Sequence, residues 1–150
     1  MLVDSIENGI VIDHLTAGLG LKVLSALGVE TRGDTVALIM NASSKKYGKK
    51  DLVKIMNKVD VDLAILGLID PRATVNIIEN GEIVKKIVLT LPERVVNVVK
   101  CKNPRCVTTV EPNAPQVFVL ENPETSEYRC EYCDEVVVLK GEWENELMHL

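Results

Sequence analysis

Cys101-Lys102-Asn103-Pro104-Arg105-Cys106 and Cys130-Glu131-Tyr132-Cys133 decide how this chain must be organised. Two close cysteine pairs, each at a turn and separated by 23 residues, bring four thiolates to one point. Four soft sulfur ligands in a tetrahedron suit one structural Zn2+ and leave no open coordination position for catalysis. Two disulfides or an iron–sulfur centre are the competing uses of the same cysteines, and a chain without a secretion signal disfavours the disulfides. The surrounding segment, 93–150, holds short β-rich runs at Val107–Val110, Val117–Leu120 and Val136–Leu139, punctuated by Pro104, Pro112, Pro115 and Pro123. With so few aromatic residues it has little core of its own, so metal binding supplies much of its folding free energy. The reading is a small all-β zinc-binding domain over 93–150.

Outward from the cysteines, Val95–Val99 reads as a strand leading into Cys101, and Leu91-Pro92-Glu93 reads as a stiff connector. The chain before it, 1–92, alternates strand and helix signals. Ile10-Val11-Ile12 is a β-branched run. Residues 17–28 carry apolar side chains at helical spacing on more than one side, which predicts a deeply buried helix, with Gly28 as its stop. Val36–Met40 is a second strand entered through Arg32-Gly33-Asp34, Asn41–Gly48 a polar loop, and Leu52–Met56 a third strand. Asp60 and Asp62 open a second helix ending near Asp70-Pro71. Ala73–Ile78 and Glu82–Val88 flank Asn80-Gly81, a strong hairpin signal. The order β-α-β-β-α-β with an extra strand predicts an α+β chain: a ferredoxin-like split βαβ sandwich, then the zinc domain.

Composition narrows the function. Aromatics are 3% of 150 residues, too few for a base-stacking platform. No apolar run is long enough to span a membrane, and Met1-Leu2-Val3-Asp4 lacks the basic start of a signal peptide, so a cytoplasmic location is expected. Residues 1–92 balance eleven basic against eleven acidic side chains, while 93–150 hold six against eleven, the whole of the net charge of −5. An acidic metal module repels phosphate backbones. A zinc-ribbon nucleic-acid binder, the main alternative, is therefore opposed by charge, although a basic loop (Lys45, Lys46, Lys49, Lys50, with Lys54 beyond it) speaks for it.

Catalytic constellations are scarce. No Walker loop, G-x-G-x-x-G or G-x-S-x-G appears, and the four cysteines are used by the metal. Asp13-His14, read as a strand-end pair, could do acid–base work in a small stand-alone enzyme, but a plain hydrogen-bonded pair explains it as well. His149 sits in a tail. The lysine loop together with Lys85-Lys86 is either a solvated basic surface or a polyanion site.

Four blocks resemble one family in the same order: Val11-Ile12-Asp13-His14, Gly48-Lys49-Lys50-Asp51-Leu52-Val53-Lys54-Ile55, Ala73-Thr74-Val75-Asn76 and Leu91-Pro92-Glu93-Arg94. With the cysteine spacing, they are similar to the regulatory chain of aspartate carbamoyltransferase. The resemblance implies a non-catalytic chain whose N-terminal domain binds nucleotide effectors (CTP, ATP and UTP) and pairs into regulatory homodimers. It implies a zinc domain docked on the catalytic chain, with six catalytic and six regulatory chains, and no nucleic-acid or membrane partner. It places Asp13 at the base and ribose with His14 beside it, Lys54 at the base and ribose, Lys86 at phosphates and ribose, Lys50 at the phosphates and Ser44 near them. Ile6, Val11, Leu52, Thr74, Asn76, Ile78 and Ile83 fall where the family lines its pocket. Val88 replaces a basic residue of some relatives, Gly81 an aromatic one, and Arg105 an Asn that touches the catalytic chain.

Overall fold

The computed structural model describes residues 6–29, 33–58 and 60–139, so Met1–Asp4, Arg32 and His149 lie outside the described residues. The chain divides into two compact units, 1–90 and 91–150.

The first unit runs β1 (Gly9–Thr16), α1 (Gly20–Leu27), β2 (Val36–Ser44), β3 (Gly48–Met56), α2 (Leu63–Ile69), β4 (Thr74–Glu79) and β5 (Glu82–Val88). The sheet order is β2-β3-β1-β4-β5, and every neighbouring pair is antiparallel. Each helix crosses over one strand, which is the split βαβ topology with β5 as the extension. Strand alternation divides the sheet into two faces. Ile10, Ile12, Val53, Ile55 and Val75, all fully buried, form one face and share the core with Val23, Leu24, Leu27, Leu66 and Leu68 of the helices. Turn chemistry closes β4–β5 as the sequence predicts: Asn80 and Gly81 both take positive φ, 52° and 79°, the geometry of a tight hairpin turn.

Helix ends show where sequence reading reached its limit. Gly28 stops α1 in the left-handed conformation, and the Asp62 side chain accepts from the Ile65 N–H to start α2. No side chain of α1's own neighbourhood caps its start. Asp51, completely buried on β3, does so from a distance: Oδ2 accepts from the N–H of Gly18 (3.0 Å) and Gly20 (2.9 Å), and Oδ1 from that of Asn41 (3.0 Å). A carboxylate at the positive end of a helix dipole is well placed. Gly20 is required there, because a Cβ would lie 2.5 Å from a Leu38 methyl carbon and 2.9 Å from Asp51 Oδ2.

Several expectations are corrected. Asn41–Gly48 is not a loop. Strand β2 runs on to Ser44 and β3 begins at Gly48, because Ala42, Ser43 and Ser44 pair with Lys50, Lys49 and Gly48, leaving a turn of three residues. Helix α1 is buried on one side only, and Leu21 is exposed.

The second unit is a four-stranded antiparallel sheet, β6-β7-β8-β9, made of Arg94–Val96, Val117–Asn122, Glu127–Cys130 and Val136–Val138. Phe118 and Tyr128 are fully buried at its centre. The Tyr128 hydroxyl donates to the Pro92 carbonyl at 2.7 Å, and burial pushes its phenol up to about 12. The predicted strand Val95–Val99 stops at Val96, because Asn97 adopts φ 57° and binds Gln116 through both backbone and side chain. Val107–Val110 is a single helical turn, α3, instead of a β run. The Thr109 N–H and hydroxyl both donate to the Cys106 carbonyl, and the Glu111 N–H donates to that of Val107. Strand β8 has no apolar run to announce it; Tyr128 and Cys130 alternate inward between Glu127 and Arg129.

Replacing Asp51 by Ala strands several partly buried N–H donors at once. We expect a loss of about 3 kcal/mol or more, read as a lowered urea midpoint for the 1–90 unit. A change below ~1 kcal/mol would show that the long-range cap contributes little.

Candidate functional site

The four cysteines meet. Their sulfur atoms all lie within 4.8 Å of one another, with Cys101–Cys133 at 3.7 Å and Cys106–Cys130 at 3.8 Å. A tetrahedral ion with sulfur at ~2.3 Å requires sulfur–sulfur edges of about 3.8 Å, so the cluster fits one zinc ion. A disulfide needs sulfurs ~2 Å apart, and all four thiols are free. Each pair sits on a turn that aims backbone N–H groups at sulfur: Asn103 at Cys101, Tyr132 and Cys133 at Cys130. Burial pushes the Cys101 thiol up to about 12. Burial would raise Cys106 too, but hydrogen bonds from Thr108, whose hydroxyl is 3.0 Å from the sulfur, bring it down to about 7. Gln116, a residue that sequence reading missed, ties the site together. Its Oε1 accepts from the Cys101 N–H, and its Nε2 donates to the Thr108 carbonyl on α3.

The second assembly is the open face of the first unit's sheet. Register places Lys54, Val11, Asn76 and Lys86 in one row across β3, β1, β4 and β5. Gly9 stands between Met56 and Ile78 in the row to one side, with Ile83 beyond Ile78. A Cβ on Gly9 would come within 3.1 Å of the Ile6 side chain, so Ile6 borders that end. Asp13, Thr74 and Val88 form the row to the other side, with Leu52 two residues before Lys54 on β3. Lys54, Leu52, Asn76 and Ile78 are buried, whereas Ile83, Lys86 and Val88 are exposed. Asn76 Oδ1 is buried without a hydrogen-bond partner, which is costly unless a donor from outside meets it.

Strand β1 does not end at Asp13-His14, contrary to expectation; it bulges there. Three steps of β1, Ile12 to Leu15, oppose two of β3, and His14 takes φ 59°. The bulge brings consecutive side chains to the same side. Asp13 pairs with Lys50 Nζ at 2.9 Å, while His14 Nδ1 lies 3.2 Å from Thr74 Oγ1. The two side chains therefore have different partners, and the acid–base pair that adjacency suggested does not form. Burial would raise the Asp13 carboxyl, but Lys50 and the His14 N–H outweigh it and hold it below the usual value. A depressed carboxylate contributes stability above ~pH 4 and loses it as pH falls through its folded-state value. Ser44 Oγ, at the β2–β3 turn, accepts from the Tyr47 N–H. Tyr47 and Arg72 were not singled out from sequence. Arg72 lies over the Tyr47 ring at 4.0 Å, and Tyr47 meets His14 edge-on, with ring centroids 6.2 Å apart.

Comparison with known proteins meets this geometry at both units. Residues 1–90 match the allosteric domain of the aspartate carbamoyltransferase regulatory chain, and residues 93–140 match its metal-binding domain. The chain belongs to the aspartate carbamoyltransferase regulatory chain family. It is 52% identical over 136 residues to the regulatory chain of Clostridium botulinum strain Hall, covering 91% of this chain and 93% of that one. With the regulatory chain of Clostridium tetani it shares 50% over 137 residues, covering 91% and 95%. With that of Bifidobacterium longum it shares 52% over 135 residues, covering 90% and 97%. As a regulatory chain it is the non-catalytic subunit of a pyrimidine-biosynthesis enzyme, and its partner is that enzyme's catalytic chain. Among the described residues no helix is long and apolar enough to cross a membrane.

Removing the metal with a chelator should release one zinc per chain and abolish amide-exchange protection across β7–β9; unchanged protection would show that the sheet stands without it. Thr108→Val removes a hydrogen bond to a ligand sulfur, and chelator competition should show zinc held about tenfold more weakly.

Proposed function

We propose that the open face of the 1–90 unit binds nucleoside triphosphate effectors. CTP, ATP and UTP are the candidate effectors, and their binding allosterically modulates the catalytic chain. The observation that carries this reading is the row Lys54–Val11–Asn76–Lys86, with the Asp13–Lys50 pair beside it. A base needs an apolar floor and a few polar groups that fix its edge. Val11, Leu52 and Ile78 supply the floor, and the orphaned Asn76 oxygen asks for an exocyclic amino group, which both cytosine and adenine carry. Asp13 accepts from ribose hydroxyls. Lys50, Lys54 and Lys86 meet ribose and phosphate oxygens with charge-assisted hydrogen bonds. His14 stands beside Asp13, Ser44 lies near the phosphates, Ile6 borders the base end, and Thr74 and Ile83 complete the lining.

The remaining organisation follows from the resemblance of the sequence and is proposed with it. The functional boundary lies at 92/93, two nucleotide-binding domains pair into a regulatory homodimer, and six regulatory chains serve six catalytic chains in the cytoplasm. The zinc held by Cys101, Cys106, Cys130 and Cys133 keeps the second domain in shape to dock on the catalytic chain. There the exposed Arg105 takes its place in the contact, its loop braced by the Arg105 N–H donating to Asn103 Oδ1. A nucleotide remote from the active centre acts only by binding two quaternary states unequally, and a tenfold effect needs about 1.4 kcal/mol of coupling. One charge-assisted contact whose geometry differs between the states supplies that much.

Lys86→Ala should weaken both CTP and ATP by about tenfold in calorimetry while zinc content stays at one per chain. Unchanged affinity for both nucleotides would remove Lys86 from the site. Failure of the wild-type chain to bind either nucleotide would reject the effector reading altogether.

A further inference from the structure

We propose that Arg72, held over the Tyr47 ring, is an additional anion contact that grips the terminal phosphates of a triphosphate bound on the open face. This rests on the reading of that face as the effector site and adds a residue to it. Arg72 Cζ lies 4.0 Å from the Tyr47 ring centroid, and Lys46 Nζ lies over the same ring at 5.3 Å. Contact with the ring face holds a guanidinium in place at low entropic cost, and its rigid fork carries several donors suited to phosphate oxygens. Arg72 Nε is buried and has no hydrogen-bond partner, and among the described residues no carboxylate pairs with the guanidinium. A buried charged donor left unmet is expensive, so the arrangement is completed by an oxygen acceptor from outside.

Its place in the fold selects phosphate. Arg72 precedes Thr74 by two residues, Thr74 Oγ1 touches His14, and the His14 ring meets Tyr47 edge-on. These four side chains form one patch beside Asp13. Arg72 lies four positions before Asn76 and just before β4, so it stands on the Asp13–Thr74 side of the row, away from the Gly9–Ile78 end that Ile6 borders. Charge is needed there. Lys50 is already balanced by Asp13 at 2.9 Å, and Val88, which stands opposite Thr74, brings none. A triphosphate carries several negative charges, and Arg72 is a cation of this patch that no described carboxylate neutralises.

A brace for Tyr47 and a phosphate contact differ in how they respond to ligand charge. The test is a calorimetric titration of the full-length wild-type chain, Arg72→Gln and Arg72→Lys with CTP, CDP and CMP. The proposal expects Arg72→Gln to weaken CTP by about tenfold, CDP by less, and CMP by under about twofold, with Arg72→Lys between. Retained CMP binding shows that the variant is folded. Equal losses for all three ligands would reduce Arg72 to a structural brace and overturn the proposal, as would wild-type CTP affinity in Arg72→Gln; both leave the effector site standing. Absence of CTP binding by the wild-type chain would instead overturn the effector reading and this inference with it.

Discussion

Strand β1 is hydrogen-bonded along both edges, to β3 and to β4, and its register decides the face of every side chain in the larger sheet. A slip of one residue would turn Ile10 and Ile12 away from the helices and push Val11 and Asp13 into the apolar core. Burying an unpaired Asp13 there would cost several kcal/mol, so the alternation of this strand is strongly specified. Its bulge at Asp13-His14 is a second constraint on the same element. It ends strict alternation at the place where two polar side chains are wanted together, one for Lys50 and one for Thr74.

The two units solve the problem of size differently. In the 1–90 unit, helix packing closes one face of the sheet with Leu, Ile and Val, and the other face remains available for polar chemistry. Its internal polar supports are long-range carboxylates. Asp51 caps α1 from β3, and Asp70, just after α2, accepts from the N–H groups of Thr16 (2.6 Å) and Arg72 (3.2 Å). Among its described residues the second unit has one sheet and two fully buried aromatics, Phe118 and Tyr128, and its loops are gathered by four thiols and by Gln116. Its exposed ion pairs, such as Arg94–Glu131 at 3.3 Å, add little in water. A small core with a metal staple is what surface-to-volume scaling demands of such a segment.

On the effector reading proposed above, regulation needs a ligand face and a docking domain that are built separately yet lie in one chain. A nucleotide face must discriminate by a few well-placed donors and acceptors, which favours strands whose register is locked. The docking domain must keep its shape under the load of a partner, which favours metal closure of its loops. Small changes at the first can bias a quaternary equilibrium because coupling energies of one or two kcal/mol suffice.

Much was legible in the residues themselves. The cysteine spacing announced the metal, Asn80-Gly81 the hairpin, Gly28 and Asp62 the helix ends, and the β-α-β-β-α-β order the sheet, because each is a local rule or a pattern along the chain. The lysines and Asp13 were visible as candidates but not as neighbours. What tertiary structure alone decided was every pairing between distant positions: Asp51 with Gly18 and Gly20, Asp13 with Lys50, His14 with Thr74, Arg72 on Tyr47, Gln116 across the metal loops. It also turned Val107–Val110 into a helical turn and Asn41–Ser44 into a strand, overriding local preference with hydrogen bonds to Cys106 and to β3. The reason is that local propensity is worth tenths of a kcal/mol per residue, whereas satisfying a buried hydrogen-bonding group is worth about one or more, and only the folded chain brings the partners into reach.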